Sequence, residues 1–406
     1  WEIRPGGRDI VWKVGSDIPH DDHIEMSGEQ VSCVLRWMVD EKGLFGQERS
    51  LVFPMLRRVP NDTHASLLYR MGTDVMSLVG INSLVPKQLS TKKVSIDGGL
   101  SVISEYGVGK ANVGGARGDN PKPVAEVRTT VFPSKIHPML CEIYSIRNIS
   151  ASPLVLNVPK FSQEAKTLAD KGVDGSYVIR ADIFGSGTYV LEPWQEIGFQ
   201  VAFQAYREKG GSMIVPDFDA EYSARMSFIR DAIDSSLILE TPDTVINTEF
   251  RFAKIRASES IYRTKGGLMH GPGGESYYAA LWCNDECEYV NPFYPFLGYA
   301  VGNESAFNCY RLYSEFMNDD FKPVPSSIIA EGTDIWDGAG DRGDAAMIAH
   351  GLSRYLLARG DKNEAEQLWP FLKWCLEYCH RKLNAAGVPE SDSDELEGRF
   401  PAGDAN

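Results

Sequence analysis

The chain has 406 residues, of which 43% are hydrophobic and 24% charged, and its formal net charge is −15 at pH 7. This length suits two or three domains with cores of their own, and the composition is that of a globular protein. The acidic balance argues against a nucleic-acid partner, which would require clustered Lys and Arg. The 17 Tyr and 8 Trp in an acidic background favour a neutral polyol such as a sugar, which stacks on aromatic rings and hydrogen-bonds to carboxylates.

The sequence contains no apolar run of about 18 residues, so no membrane span is predicted. The chain begins at Trp1 rather than at Met. This start favours the removal of a leading segment such as a secretory signal. We therefore expect a secreted or periplasmic location, with the cytoplasm as the alternative, while the oligomeric state is left open.

The seven Cys cannot all pair with one another, so no disulfide framework is expected. Two C-x3-C pairs, Cys283 with Cys287 and Cys375 with Cys379, could together hold zinc. Cys375 and Cys379 fall on the apolar stripe of a predicted helix, however, where free Cys is usually a small buried hydrophobe. We therefore predict no metal site.

Residues 1–210 repeat a pattern of strands and turns. Runs such as LSVISEYGV and GFQVAFQAY alternate apolar and polar residues and are separated by Gly, Pro, Asn and Ser. Strands with this alternation, in this number, must bury one face against a second sheet. The pattern predicts a large antiparallel sandwich as the first domain.

The hydrophobic period changes after residue 210. Residues 211–242 predict one helix with a single apolar face, made of Phe218, Tyr222, Met226, Ile229, Ile233 and Leu237. Residues 243–406 predict a helical domain, with helices at about 243–262, 290–300, 303–317, 344–359 and 364–384.

The connections between these five helices alternate in length. Long loops follow the first, third and fifth helices and contain GPGGESYYAALWCNDECEY, IIAEGTDIWDGAGDRG and GVPESDSDELEGRFPAGDAN, whereas only short turns follow the second and fourth. Successive connections in an up-and-down array lie at opposite ends, so the three long loops are expected at one end. That end is the predicted binding face.

The three loops together hold an unusual number of carboxylates and two Trp residues. The candidates are Trp282, Asp285, Glu286 and Glu288 from the first loop, Glu331, Asp334, Trp336, Asp337, Asp341, Arg342 and Asp344 from the second, and Glu390, Asp392, Asp394, Glu395 and Glu397 from the third. The motifs G-x-S-x-G, G-K-[ST] and H-E-x-x-H are absent, which argues against acyl transfer, nucleotide binding and zinc proteolysis. We therefore expect carboxylate chemistry without a cofactor.

Glycosidic bond cleavage uses this combination. One protonated carboxylic acid donates to the leaving oxygen, and a second carboxylate activates water or attacks the sugar carbon. Carboxylates that crowd a water-poor cleft cannot all ionise, so one of them keeps its proton near neutral pH.

Simpler interpretations exist for each element. The acidic run can be a solvated loop, Asp341 can cap the helix that starts near Asp344, and Arg342 can pair with Asp344. Trp282 and Trp336 can be core residues. A calcium site is disfavoured because DSDELEGRF lacks the spacing of an EF-hand loop.

The order of these parts resembles the six-hairpin glycosidases, whose catalytic module is an (α/α)6 barrel behind a β-supersandwich and a linker helix. The resemblance implies a β-supersandwich in residues 1–210, a linker helix in 211–242 and a partial barrel in 243–406. The segment ALWCNDECEYVNPFYPFLGY resembles the F-W-D-T-E segment of disaccharide phosphorylases, which implies that Trp282 and Asp285 hold the substrate. The segment also resembles the R-D-E-R segment of α-L-rhamnosidases, which implies that Glu286 is the general acid.

The third loop lies where the phosphorylases have G-P-D-E-Y followed by N-N-A. This resemblance implies Glu395 as the proton donor, with Asp394 beside it. The loop lacks the G-P, carries Leu396 in place of the Tyr, and adds Glu397 as a further candidate. We rank Glu395 first and Glu286 second as the general acid.

A closed (α/α)6 barrel has twelve helices, and about five are predicted here. We therefore expect the chain to be part of a longer protein, whose later half supplies the catalytic base. The resulting hypothesis is an inverting glycoside hydrolase, with inversion implied by the resemblance. The alternatives are a glycoside phosphorylase of the same fold and a glycan-binding protein without catalysis.

Overall fold

The computed structural model describes residues 1–3, 9–109, 121–273, 280–333 and 340–393, together with the backbone of residues 335–336. The chain divides into two compact units. The first comprises Trp1–Phe53, Leu68–Ile229 and Leu239–Phe252, and the second comprises Pro54–Leu67, Arg230–Ile238 and Ala253–Asn406.

The part of the chain before the first α-helix is rich in β-structure, as the alternating pattern predicts. Its described strands are β1 (Glu2–Ile3), β2 (Ile10–Lys13), β3 (His20–Ser27), β4 (Ser32–Val39), β5 (Phe45–Arg57), β6 (Ser66–Met71), β7 (Gly80–Ile81), β8 (Lys87–Ile96), β9 (Leu100–Gly107), β10 (Pro123–Pro133), β11 (Met139–Asn148), β12 (Leu154–Val158), β13 (Ser162–Lys166), β14 (Tyr177–Phe184), β15 (Gly187–Leu191) and β16 (Glu196–Arg207). Short 3₁₀ turns occur at Val75–Ser77 and Ala169–Lys171.

These strands form three sheets. The largest has the order β1-β2-β8-β9-β10-β11-β16-β14-β13, a second has β3-β4-β5-β6, and a third has β15-β12-β7. The two larger sheets are linked by a buried ion pair, in which Nε of Arg49 on β5 lies 2.5 Å from Oε1 of Glu142 on β11. Arg49 also stacks on the ring of Phe203 on β16, at 4.7 Å from the centroid. A buried charge requires such a partner, so this pair fixes where the two sheets meet.

The first α-helix, α1 (Phe218–Phe228), continues as a π-helix at Ile229–Asp234. The predicted apolar face is wrong at Tyr222, which is 40% exposed, and at Leu237, which lies beyond the helical segment. Ile229 and Ile233, which lie in the π-helix, are buried as predicted.

Two charged residues of α1 are buried, although the apolar pattern predicted only hydrophobic residues on the buried face. Nε of Arg225 donates to the carbonyl of Gly98 at 2.6 Å, and Glu221 lies 2.6 Å from Nδ1 of His137. These contacts satisfy the charges, so both side chains can be buried.

The remaining described helices are α2 (Thr244–Glu259), α3 (Asn291–Leu297), which follows a π-helix at Asp285–Val290, α4 (Ala300–Ser314), α5 (Asp344–Arg359) and α6 (Lys362–Arg381). Five short strands accompany them: β17 (Ile261–Thr264), β18 (Gly267–His270), β19 (Ala280–Trp282), β20 (Ser327–Ile329) and β21 (Ile335–Trp336). All five helices predicted after residue 242 are present; α5 has the predicted ends, and the ends of the other four are shifted.

The turn between α3 and α4 lies earlier than the short turn predicted between the helices at about 290–300 and 303–317. Gly298 has φ 70°, and this left-handed conformation ends α3. Gly302 lies within α4 instead, where an added Cβ would be 2.4 Å from the ring of Tyr294. Gly302 therefore permits the close approach of α3 and α4 and does not form the turn.

The helices of the second unit share one apolar core. It contains Cys, Leu and Tyr side chains of the π-helix and of α3 to α6, among them Cys287, Tyr294, Tyr310, Leu352 and Cys375. Helix α5 packs against α3 and α6, and α4 packs against α3 and α6. None of the helices in the described ranges is both long and apolar enough to cross a membrane.

Candidate functional site

The three long loops of the second unit are joined by backbone hydrogen bonds. In the sheet β19-β20-β21, Trp282 of the first loop pairs with Ser327, and Ser327 pairs with Trp336. The third loop is attached to the second, because the amide of Asp392 donates to the carbonyl of Asp341 at 2.8 Å. The predicted convergence of the three loops is therefore confirmed for their described residues.

The first loop presents Trp282 and Asp285 at the end of β19 and the start of the π-helix. Both side chains are half-buried. The side chain of Asn284 accepts a hydrogen bond from the amide of Asp285 at 2.8 Å and so caps the helix start. π-Helical turns often occur at functional sites, and acidic side chains are favoured at a helix N-terminus. Solvent can reach the carboxylate and the indole together at this point.

Glu286 lies behind this surface. Its side chain is 0% exposed, and its Oε1 lies 3.1 Å from Nδ1 of His270 on β18. The other carboxyl oxygen, Oε2, is buried and has no hydrogen-bond partner among the described residues. Asp285 is thus partly exposed, whereas Glu286 is fully buried.

Burial changes the acidity of both carboxyl groups. It raises the pKa of Glu286, and the nearby His270 offsets only part of this effect. Burial also raises the pKa of Asp285, again opposed by His270. Two adjacent carboxyl groups are thus biased toward their protonated forms, as acid catalysis requires.

The second loop contributes Asp341, Arg342 and Asp344, all of which are buried. Asp341 does not cap α5, because its Oδ1 accepts from the amide of Gly343, which is itself the N-cap residue. Oδ2 of Asp344 accepts from the hydroxyl of Ser326 at 3.0 Å. Burial raises the pKa of Asp344 to about 6. These carboxylates hold the loop in place as well as contributing charge.

The tip of the β5–β6 hairpin, residues 54–67, also belongs to the second unit, which the sequence patterns did not indicate. Nε of Arg57 lies 3.0 Å from Oε1 of Glu331 in the second loop. The ring of His64 lies edge-on to the indole of Trp282, with 6.2 Å between centroids. The hairpin tip therefore touches two of the loops that carry the predicted site.

Several predicted site residues lie outside the described part of the chain. These are Asp334, Asp337, Asp394, Glu395 and Glu397, and Trp336 is described by its backbone alone. The described residues that are brought together are Trp282, Asp285, Glu286, Asp341 and Arg342. The sequence patterns missed His64, Arg57, His270 and Tyr378, because each of these contacts the site from another element.

The described cysteines of the second unit form no disulfide. Sγ of Cys283 lies 4.0 Å from Sγ of Cys287, and burial raises the pKa of Cys287. Cys375 is buried on α6, as predicted from its place in the apolar stripe. Among the residues that the structure describes, no group of three or more His, Cys, Asp or Glu is arranged to hold a metal ion.

No protein-family model and no curated protein matches the sequence. Three solved structures resemble the fold to different degrees. A protein from the human microbiome, provisionally named a kojibiose phosphorylase, has a TM-score of 0.49 and 10% identity, and the match covers 98% of this chain and 61% of that one. A bacterial glucoamylase in complex with acarbose has a TM-score of 0.33 and 7% identity, with 92% of this chain and 71% of that one covered.

The third structure is a 4-alpha-glucanotransferase from Thermococcus litoralis, with a TM-score of 0.22, 12% identity, and 46% of this chain and 39% of that one covered. All three likenesses are remote. The chain spans 61% of the length of the phosphorylase that it resembles.

Proposed function

We propose that this chain is part of a glycoside-cleaving enzyme that uses a carboxylic acid to protonate the leaving oxygen of a saccharide. The observation that supports this best is the grouping of Trp282, Asp285 and Glu286 in one loop. The half-buried indole of Trp282 suits the apolar face of a sugar ring, which stacks on aromatic rings. The pKa of each of the two neighbouring carboxyl groups is raised by burial, which suits an acid catalyst.

The general acid is proposed to be Glu395, with Glu286 second. The complete burial of Glu286 and its contact with His270 favour this order, because a proton donor must reach the glycosidic oxygen. Trp282, Asp285 and Trp336 are proposed to hold the sugar. Further proposed substrate contacts are Asp337, Arg342, Asp394 and Glu397.

We further propose the finer architecture that the sequence resemblance implies. Residues 1–210 would form a β-supersandwich, residues 211–242 a linker helix, and residues 243–406 part of an (α/α)6 barrel.

The reaction is proposed to be hydrolysis with inversion at the anomeric carbon. The test is turnover of a panel of aryl-glycosides by the purified protein, with and without inorganic phosphate, and NMR identification of the first anomer released. We expect phosphate-independent turnover with an inverted product, and loss of substrate affinity in Asp285→Asn. A strict requirement for phosphate would instead identify a phosphorylase, and saccharide binding without turnover a glycan-binding protein.

A further inference from the structure

Asp341 is the point at which the second and third loops are tied together. Its carbonyl accepts hydrogen bonds from the amides of Asp392 and Ser393, at 2.8 and 3.1 Å. Its own amide donates to Oδ2 of Asp392 at 3.1 Å. Three hydrogen bonds therefore fix residues 392–393, immediately before the acidic run that contains Glu395.

The carboxylate of Asp341 is fully engaged with the protein. Oδ2 accepts from the hydroxyl of Tyr378 on α6 at 2.5 Å and lies 3.3 Å from Nζ of Lys382. Oδ1 accepts from the amide of Gly343 at 3.0 Å. The side chain is 2% exposed. A carboxylate held in this way anchors the loop to the end of α6 and has little surface for a substrate.

Asp344 makes the corresponding link to the first loop. Its carbonyl accepts from Sγ of Cys283 at 3.5 Å, and its Oδ2 accepts from the hydroxyl of Ser326 at 3.0 Å. The amide of Cys283 in turn donates to the carbonyl of Ser326 at 2.8 Å. Asp341 and Asp344, three residues apart, thus connect all three loops to the helical core.

We propose that Asp341 is a positioning residue, which holds residues 392–393 of the third loop against the second loop and the end of α6 and so keeps the loops of the site in place for catalysis. This inference rests on the proposed function for its catalytic consequence. It replaces the substrate contact that the sequence suggested for Asp341 with an indirect role. A displacement of about 1 Å in a catalytic group can lower the rate about a hundredfold. Loss of the hydrogen bonds of Asp341 should therefore have a measurable effect on kcat.

The test compares two Tyr→Phe substitutions that each remove one hydroxyl bonded to a carboxylate. Tyr378→Phe removes the donor to Asp341. Tyr355→Phe removes the donor to Glu364, at 2.7 Å, where α5 and α6 are joined by a short turn. We expect both to lower the melting temperature, but only Tyr378→Phe to lower kcat, by about ten- to a hundredfold, with little change in KM.

A second measurement follows the hydrogen bonds between Asp341 and residues 392–393 directly. In Asp341→Asn, hydrogen exchange at the amides of Asp392 and Ser393 should become faster, whereas in Tyr355→Phe it should not. Unchanged exchange at both amides, or an equal loss of kcat in Tyr355→Phe and Tyr378→Phe, would overturn the positioning role. If the unaltered protein turns over no glycoside, the proposed function fails, and the exchange data still decide whether Asp341 holds the loop.

Discussion

The ring of His64, at the tip of the β5–β6 hairpin, lies edge-on to the indole of Trp282, 6.2 Å away between centroids. Burial lowers the pKa of His64, so its ring is uncharged near neutral pH and can pack on an aromatic neighbour. The pair places a residue from the strand-rich part of the sequence beside the proposed sugar platform.

Trp282→Ala should raise KM for a saccharide substrate about tenfold, which corresponds to about 1.4 kcal/mol of lost stacking. His64→Ala should have a smaller effect in the same direction, because His64 supports the indole from one edge. Titration of the ligand by calorimetry or steady-state kinetics measures both. Trp369→Ala is the control, since this indole is 52% exposed on α6 and is not part of the site; an equal change there would remove Trp282 from the platform.

The ion pair of Arg57 and Glu331 should stabilise the second unit, because the side chains are 0% and 15% exposed. Arg57→Met leaves Glu331 without this partner and should cost about 3 kcal/mol in the free energy of unfolding. The double variant Arg57→Met/Glu331→Gln should recover part of this loss. Urea denaturation provides the measurement.

The control for this pair is an ion pair whose side chains are exposed. Arg311 and Glu315 are 45% and 52% exposed, so Arg311→Met should change stability by less than about 0.5 kcal/mol. Purely additive losses in the double variant at Arg57 and Glu331 would show that the two side chains do not interact.

Asp344 should make stability dependent on pH. Burial raises its pKa from 3.8 to about 6, so the folded protein binds this proton more tightly than the unfolded chain does. Stability should therefore fall as pH rises from about 4 through 6, by about 2 to 3 kcal/mol from this group. Asp344→Asn should lack this fall and gain stability relative to the unaltered protein as pH rises.

The control is Ser326→Ala, because the hydroxyl of Ser326 lowers the pKa of Asp344. Its removal should move the fall in stability to higher pH. Denaturation curves between pH 4 and 7 test both variants. Parallel pH profiles for Asp344→Asn and the unaltered protein would rule out Asp344 as the titrating group.

Helix periodicity predicted much of the second unit because the helices bury one continuous apolar stripe. The alternation of long and short connections also predicted that the loops meet, as the pairing of Trp282, Ser327 and Trp336 now confirms. The face of α1 was predicted less well. Its buried Arg225 depends on the carbonyls of Gly98 and Ser27, which are distant in sequence.

Residues that depend on contacts across the fold could not be assigned from the sequence. Arg57 lies 274 residues from its partner Glu331, and no local pattern connects them. Asp341 looked like a cap or a ligand, because its carboxylate precedes a helix. Its actual partners, Tyr378 and Asp392, become evident only when α6 and the third loop are in place.

Glycoside cleavage requires a carboxylic acid at the site formed by the three long loops, because this acid must protonate the leaving oxygen. The most direct measurement is kcat for an aryl-glycoside in Glu395→Gln and in Glu286→Gln, with circular dichroism to show that each variant is folded. We expect Glu395→Gln to lose at least about a hundredfold and Glu286→Gln to lose less, in keeping with the scale of general acid catalysis. Turnover that stays within about tenfold of the unaltered protein in both variants would contradict the account.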